Sequence, residues 1–201
     1  GVLELRVAIT NWLIKRYGIL NIDPDKNVMT LNGSREGLFN SALALCPKKK
    51  NNKKPVILMP NPFYQCYLVA SLIAGSKPIM LNTSKENNYL PELEKINKKV
   101  LSQTSIFYVC SPTNPQGGIA KKDWWKKILT LAEENDFIVF SDECYSEIYH
   151  ETIPTGALEV ANQIGVDFNR IVIFNSLSKR SNLPGLRSGF VASGEKNIIK
   201  L

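Results

Sequence analysis

The sequence lacks the features that mark several large classes of protein. No apolar run approaches the roughly 20 residues that a membrane-spanning helix needs, and the longest, Tyr67–Ala74, is interrupted by Ser71. The four cysteines form no C-x-x-C pair, and His150 is the one histidine. These absences argue against a membrane protein, a disulfide scaffold and a zinc site, and they predict buried free thiols in a reducing, cytoplasmic setting.

Positive charge exceeds negative charge, with 25 lysines and arginines against 18 acidic residues and a net charge of +7. Much of the excess lies in the asparagine-containing stretch 48–54, between two apolar segments. Nucleic-acid surfaces usually combine such charge with aromatic side chains or place it on one reading element. A solvated loop is therefore the better interpretation, and no nucleic-acid partner is expected.

The 201 residues are enough for one domain with a substantial core, and a hydrophobic content of 44% is ordinary for a globular protein. The sequence begins at Gly1 without a methionine, and a new helical segment opens at Glu195, shortly before Leu201. We therefore expect a piece of a longer protein. Residues 1–27 are expected to form a helix and linker, and residues 28–201 the main domain.

Short apolar runs alternate with segments of helical periodicity along most of the chain. Strands are predicted at Val28–Leu31, Val56–Met59, Pro78–Leu81, Ile106–Cys110, Ile138–Ser141, Ile171–Phe174 and Gly189–Ala192. Helices are predicted at Leu3–Tyr17, Arg35–Leu45, Tyr64–Ala74, Pro91–Leu101, Asp123–Asn135 and near Gly156–Gln163. This alternation is typical of an α/β protein with a mixed, mostly parallel seven-stranded sheet sandwiched by helices. Because the connection 175–188 is short and polar, we expect the final strand to run antiparallel.

A lysine follows the sixth predicted strand in the segment Ser176-Leu177-Ser178-Lys179, and Arg187 lies eight residues beyond it. An amine that attacks a carbonyl needs burial or nearby positive charge to disfavour its ammonium form. Hydroxyls and a guanidinium can bind a phosphate. The pattern predicts a Schiff-base lysine beside a phosphate pocket, as pyridoxal 5'-phosphate requires. On its own, a polar loop with an exposed lysine explains the segment equally well.

Two other strand ends carry features that suit the same cofactor. Gly33 lets an anion approach the backbone, and the free amides of the helix that opens at Ser34 point toward it. Tyr64 follows the second strand, where an aromatic ring can stack on a flat cofactor. Taken separately, a serine N-cap and a core aromatic explain these two features.

The fourth and fifth strands end in further polar groups. Asn114 lies between two prolines and can donate a hydrogen bond to a ligand oxygen. Asp142 ends a buried strand, where a carboxylate needs a partner such as a protonated pyridine nitrogen. Tyr145 can donate to the phenolic oxygen of the same ring. A surface turn and a capping aspartate are the alternatives, but five strand ends that each supply one part of a single site favour the cofactor.

These segments, in this order and spacing, resemble the class I and II aminotransferases, pyridoxal-phosphate enzymes with the aspartate aminotransferase fold. The resemblance covers almost the whole chain, from the helix at Leu5-Arg6 to Gly189. It implies that Lys179 binds the cofactor covalently and shuttles protons, while Asp142 pairs with the pyridine nitrogen. The resemblance also implies that Tyr145 and Asn114 bond the phenolic oxygen and that Tyr64 stacks on the ring. The residues it implies for the phosphate are Gly33, Ser34, Arg35, Ser176 and Arg187, with Ser178 adjacent.

Four segments resemble more closely the bacterial succinyldiaminopimelate aminotransferases: 32–36, 60–65, 141–149 and 176–190, the last being SLSKRSNLPGLRSGF. Within the last segment, Arg180-Ser181-Asn182 separates this group most clearly from other relatives. The resemblance implies amino transfer between glutamate and N-succinyl-2-amino-6-oxopimelate in lysine biosynthesis. It also implies small amino acid and 2-oxo acid substrates and, for the whole protein, a cytoplasmic homodimer.

The resemblance also indicates what the sequence leaves out. Members of the family extend beyond both ends of this chain, so residues 28–201 would be the cofactor-binding large domain, truncated at its C-terminal side. An upstream tyrosine and a downstream small domain, with the arginine that binds the substrate's α-carboxylate, would be missing. Ser188 stands where an apolar residue is common. Another aminotransferase, a C–S lyase and the ligand-sensing domain of a transcription regulator remain alternatives.

Overall fold

A computed structural model describes all 201 residues, which form one seven-stranded sheet with helices on both faces. The strands are β1 Val28–Leu31, β2 Val56–Asn61, β3 Lys77–Asn82, β4 Thr104–Cys110, β5 Ile138–Asp142, β6 Ile171–Ser176 and β7 Gly189–Ser193. The α-helices are α1 Leu3–Tyr17, α2 Ser34–Leu45, α3 Gln65–Ile73, α4 Lys98–Leu101, α5 Lys122–Asn135, α6 Ala157–Ile164, α7 Leu177–Arg180 and α8 Glu195–Ile198. The predicted α/β architecture is confirmed.

The strand order is β1-β7-β6-β5-β4-β2-β3. The pairs from β3 to β6 are parallel, and β7 runs antiparallel to both of its neighbours. The antiparallel final strand is therefore confirmed, because the chain between β6 and β7 holds only short helical turns. One consequence is that the ends of β1, β4, β5 and β6 and the start of β7 share one edge of the sheet, where ligands of such folds bind.

The sheet separates two hydrophobic clusters, because successive side chains of a strand point to opposite faces. On β4, Phe107 packs with α1, α5 and α6, whereas Tyr108 packs with α2 and α3. All seven residues of β4 and all five of β7 are buried. Strands buried on both faces are mostly apolar, which is why Ile106–Cys110 and Gly189–Ala192 were recognisable in the sequence.

The predicted helix over 91–101 is wrong. The chain there forms a single 3₁₀ turn, Leu93–Lys95, and then the four-residue α4. Between them Ile96 is extended, and the Asn97 side chain accepts a hydrogen bond of 2.8 Å from the backbone N–H of Lys99. Asparagine favours this capping geometry over a helix interior, so it starts a new helix instead of continuing the old one.

Side-chain hydrogen bonds join helix α1 to the loop that follows β5. Leu13 and Tyr17 are buried in the hydrophobic cluster that contains Phe107. The Tyr17 hydroxyl donates to the carboxylate of Glu143. Nε of Arg16 donates to Oε1 of Glu147 at 2.8 Å. These contacts join residues more than 120 positions apart. The predicted boundary between residues 1–27 and the main domain stays a prediction.

Three of the four cysteines are buried, as expected, but Cys46 is only half-buried, and none forms a disulfide. His150 is exposed in a bend. None of the helices combines the length and the hydropathy needed to cross a membrane.

Candidate active site

The predicted site residues, Gly33 excepted, line one cavity of about 500 Å³ at the carboxyl edge of the sheet. They are Ser34, Arg35, Tyr64, Asn114, Asp142, Tyr145, Ser176, Ser178, Lys179 and Arg187. Glu36, Cys144 and Pro184, which the sequence analysis did not single out, complete the lining. Residues from the ends of five strands therefore meet where the topology brings those ends together.

The acid at the base of this cavity is buried and hydrogen-bonded. Asp142 accepts a hydrogen bond of 2.7 Å from the Tyr67 hydroxyl and one of 3.3 Å from the backbone N–H of Cys144. Burial raises the pKa of the Asp142 carboxyl above its ordinary value, although both hydrogen bonds oppose the rise. An ionised Asp142 would therefore be stabilised by a cationic partner on its cavity side.

Tyr67 is the main residue that the sequence analysis missed. Its ring is fully buried and stacks on Tyr108 with 4.4 Å between centroids. Tyr67 lies three residues after Tyr64, the residue just before α3, and the two rings pack edge-on with 5.7 Å between centroids. That spacing was the available signal, but nothing in the sequence paired Tyr67 with an acid 75 positions away.

The neighbouring acid, Glu143, faces away from the cavity. Its carboxylate accepts hydrogen bonds from Tyr17, from the Ser141 hydroxyl at 2.9 Å and from the Ala157 backbone at 2.9 Å. Burial raises the pKa of Glu143, and these partners oppose the rise. Glu143 thereby ties α1 and α6 to the turn that carries Asp142.

The opposite end of the cavity is suited to an anion. Helix α2 begins there, and Gly33, its N-cap, has no side chain to occupy the free amides. Gly33 adopts φ +102°, and a Cβ at this position would lie 2.3 Å from Nη2 of Arg187. The Sγ of Cys144 donates to the Ser34 hydroxyl at 3.0 Å and lies 3.9 Å from the Ser176 hydroxyl. Both hydroxyls therefore flank the same small space.

The two arginines at this end are held differently. Arg187 donates to the carbonyl of Pro184 at 3.0 Å and to that of Asn32 at 3.3 Å, and it lies 3.4 Å from the Glu36 carboxylate. Arg35 instead donates to the Tyr64 hydroxyl. Glu36 is thus a carboxylate at the anion-binding end, where it partly balances the charge of Arg187.

Tyr145 and Asn114 complete the upper wall of the cavity. Tyr145 lies in the turn after β5, is half-buried, and has a pKa that burial raises. Asn114 lies in a turn closed by a hydrogen bond of 2.7 Å from the Thr113 N–H to the Gly118 carbonyl. Both side chains present hydrogen-bonding groups to the space between Asp142 and Lys179.

Lys179 lines the cavity, and it is exposed. It lies on α7, a four-residue helix without a single buried residue. Arg180-Ser181-Asn182, the segment that singled out the succinyldiaminopimelate group, does not line the cavity.

Comparison with known proteins assigns this site to a family. The model of the family "Aminotransferase class I and II" matches residues 1–201. The LL-diaminopimelate aminotransferase of Halothermothrix orenii is 33% identical over 203 residues, which cover 100% of this chain and 49% of that protein.

Solved structures agree with this result. An aminotransferase from Neisseria meningitidis superposes with a TM-score of 0.91 at 40% identity, covering 99% of this chain and 50% of that one. A probable N-succinyldiaminopimelate aminotransferase from Thermus thermophilus gives 0.87 at 26% identity, with coverages of 98% and 50%. The chain spans about half the length of these relatives. With a match over its whole length, the chain belongs to the class I and II aminotransferase family.

Proposed function

We propose that the protein containing this chain is a pyridoxal 5'-phosphate-dependent aminotransferase. The observation that supports this most directly is the cavity itself, in which an exposed lysine, a buried carboxylate and an anion-binding helix start face one another. A C–S lyase or a ligand sensor could use the same cavity, but the relatives described above are named aminotransferases.

The residues present fit pyridoxal phosphate. The absent side chain at Gly33 leaves room beside Arg187 that a Cβ would fill, next to the free amides of α2. At the other end, burial without a cationic partner disfavours the ionised form of Asp142. A protonated pyridine nitrogen would supply that partner. An anion at one end and a cation at the other match the two ends of this cofactor.

Each predicted residue then has a role in holding the cofactor. Lys179 would bind it covalently through Nζ, and the carboxylate of Asp142 would keep the ring nitrogen protonated. Tyr145 and Asn114 would donate to its phenolic oxygen, and Tyr64 would cover its ring. The phosphate would be bound by Gly33, Ser34, Arg35, Ser176, Ser178 and Arg187.

When bound, pyridoxal phosphate supplies a ring that stabilises negative charge on the α-carbon of an amino acid. Lys179 would handle the proton, because its Nζ amine lines the cavity and would take the α-proton from the substrate and later release it again. Proton transfer by a positioned side chain of this kind contributes about 10²- to 10⁴-fold to rate. The exposed position of Lys179 leaves its amine free to move between these tasks, and it takes part in no salt bridge.

The substrate we propose is N-succinyl-LL-diaminopimelate, with 2-oxoglutarate as amino acceptor, as the resemblance of residues 141–149 and 176–190 implies. Unsuccinylated LL-diaminopimelate is a second candidate, because the relative from Halothermothrix orenii carries that name at 33% identity. We further propose a cytoplasmic homodimer, with residues 28–201 as part of its cofactor-binding domain.

Replacement of the lysine tests the cofactor assignment. In the full-length protein, Lys179→Ala is expected to abolish both the visible absorbance of lysine-bound pyridoxal phosphate and transamination with glutamate. Lys200→Ala, an exposed lysine outside the cavity, is the control and should retain both. Retention of absorbance and turnover in Lys179→Ala would refute the proposed role.

A substrate comparison tests the finer assignment. The full-length protein is supplied with 2-oxoglutarate and either succinylated or free LL-diaminopimelate, and glutamate formation is followed. Faster turnover of the succinylated compound is expected. Preference for the free diamine would support the second candidate, and activity confined to aromatic or branched amino acids would reject both.

A further inference from the structure

The loop that carries Lys179 has few contacts that could hold it in place. Residues 181–187 are all exposed, and α7 buries none of its residues. Leu177 N–H donates to the carbonyl of Ser188, just before β7, at 3.1 Å. At the far end of the loop, Arg187 donates to the Asn32 carbonyl at 3.3 Å, but this contact does not hold α7 itself. An amine on such a segment needs a further contact to remain at the cavity, because ordering a long side chain and its backbone costs entropy.

Arg180 makes that contact. Its guanidinium carbon lies 4.4 Å from the ring centroid of Trp12, on α1, well within the distance at which a cation is attracted to an aromatic face. Both side chains are half-buried and border a small apolar groove that also includes Leu177 and Phe190. Arg180 therefore points away from the cavity that Lys179 lines.

The ring on which Arg180 lies is itself fixed. Trp12 packs edge-on against Tyr17 at 5.7 Å and against Phe190 at 5.9 Å between centroids. Tyr17 is bonded to Glu143, and Phe190 is buried in β7. The stack therefore connects α7 to the rigid part of the fold on two sides.

We propose that Arg180 is a positioning residue, which holds α7 and its neighbour Lys179 at the cavity by stacking on Trp12. The proposal rests on the proposed function for the task of Lys179, but the contact itself is independent of any ligand. A guanidinium suits this contact better than an ammonium, because its planar face can lie on the indole ring and it is more weakly hydrated. The alternative is that Arg180 acts only through its positive charge beside Lys179.

The experiment uses Arg180→Lys, which keeps the charge, Trp12→Leu, which keeps an apolar side chain, and the double variant. Arg170→Lys, at the far edge of the sheet and paired with Asp136, is the matched control. Two quantities are measured on the full-length protein. The first is amide hydrogen exchange of residues 177–183 without cofactor, and the second is the rate at which added pyridoxal phosphate gains the absorbance of its lysine-bound form.

Each single change at Trp12 or Arg180 is expected to speed exchange in 177–183 by about two- to fivefold and to slow cofactor capture by a similar factor. The double variant should do no more than either single one, because both remove the same contact. Arg170→Lys should match the wild type in both measurements.

Three results would overturn the proposal: Arg180→Lys behaving like the wild type, Trp12→Leu leaving exchange unchanged, or the two effects adding in the double variant. If the wild type itself captured no cofactor, the proposed function would fail, whereas the exchange measurement would still decide whether the stack holds α7.

Discussion

The candidate site contains a residue whose ionised form is disfavoured by its surroundings in the cofactor-free protein. This residue is Asp142, since burial raises its pKa. For a carboxyl with a raised pKa in the folded state, the stabilising contribution is complete below the unfolded pKa and is lost as pH rises through the folded value. At neutral pH the ionised form of Asp142 therefore lowers the stability of the cofactor-free protein.

Asp142→Asn tests whether the ionised carboxylate lowers the stability of the cofactor-free protein. The amide can still accept the hydrogen bond from Tyr67, so without cofactor the variant should melt higher than the wild type at about pH 8, with a smaller difference at about pH 4. Its transamination rate should fall by about 10²- to 10³-fold, because it cannot hold the ring nitrogen's proton. Thermal unfolding at both pH values and steady-state kinetics measure these effects. An equal melting difference at both pH values would contradict the first expectation.

Gly33 is the residue at which backbone geometry and ligand binding meet. Gly33→Ala should lose about 1 kcal/mol of stability from its positive φ and weaken pyridoxal phosphate binding by about tenfold, because the new methyl group displaces Arg187. Gly18→Ala is the control: Gly18 also has a positive φ, +64°, but nothing lies within 4 Å of its added Cβ. It should lose similar stability and bind the cofactor normally. Equal affinity losses in both variants would argue against a specific role for Gly33.

At the scale of elements, the sequence was informative where burial is uniform. All seven strands were located, most clearly β2, β4, β5 and β6, which are mostly buried, parallel and largely apolar. Five of the six predicted helices are present within a residue or two of their bounds. The segment 91–101 failed because Asn97 prefers to cap a helix. Pairs such as Tyr67 with Asp142 could not be predicted, since they depend on which strands become neighbours and leave no periodic signal.

The attachment of α1 through Tyr17 gives a prediction of its own. Tyr17→Phe leaves the buried Glu143 carboxylate without one of its donors, which should cost about 1–3 kcal/mol of stability at neutral pH. The loss should shrink at acidic pH, where Glu143 is protonated, because its raised pKa makes the ionised form the unfavourable one. Chemical denaturation at two pH values measures it. Tyr108→Phe is the control, because the Tyr108 hydroxyl donates to the neutral carbonyl of Leu38 at 2.8 Å. Its stability loss should not depend on pH in this way.

At the scale of the whole molecule, the excess positive charge lies away from the cavity. The stretch 48–54 precedes β2 and so lies at the amino edge of the sheet, where Lys50 pairs with Asp136 at 3.0 Å. The net charge of +7 is therefore no guide to the charge of the substrate. In the proposed function, an anion would be bound instead by the start of α2 and by Arg187.

The thiols report on the integrity of the whole fold. Burial raises the pKa of Cys46 and of Cys66 to about 11 and that of Cys144 well above its ordinary value, so few thiolates are present at neutral pH. The native protein should react slowly with iodoacetamide, first at the half-buried Cys46, and all four cysteines should react in guanidinium. Mass spectrometry of the labelled peptides measures this. Rapid native labelling of Cys144 would contradict the buried position described for it.

The reversal of direction between β6 and β7 has a consequence for how this protein can change. Because β6 and β7 are antiparallel neighbours, one connection of twelve residues, 177–188, contains both Lys179 and Arg187. An insertion or deletion there would shift Lys179, the proposed cofactor-binding lysine, together with Arg187, the proposed phosphate-binding arginine, so the spacing of neither can change alone. Variation in reactivity among such proteins is then more readily accommodated in the separate loops that supply Tyr64, Asn114 and Tyr145.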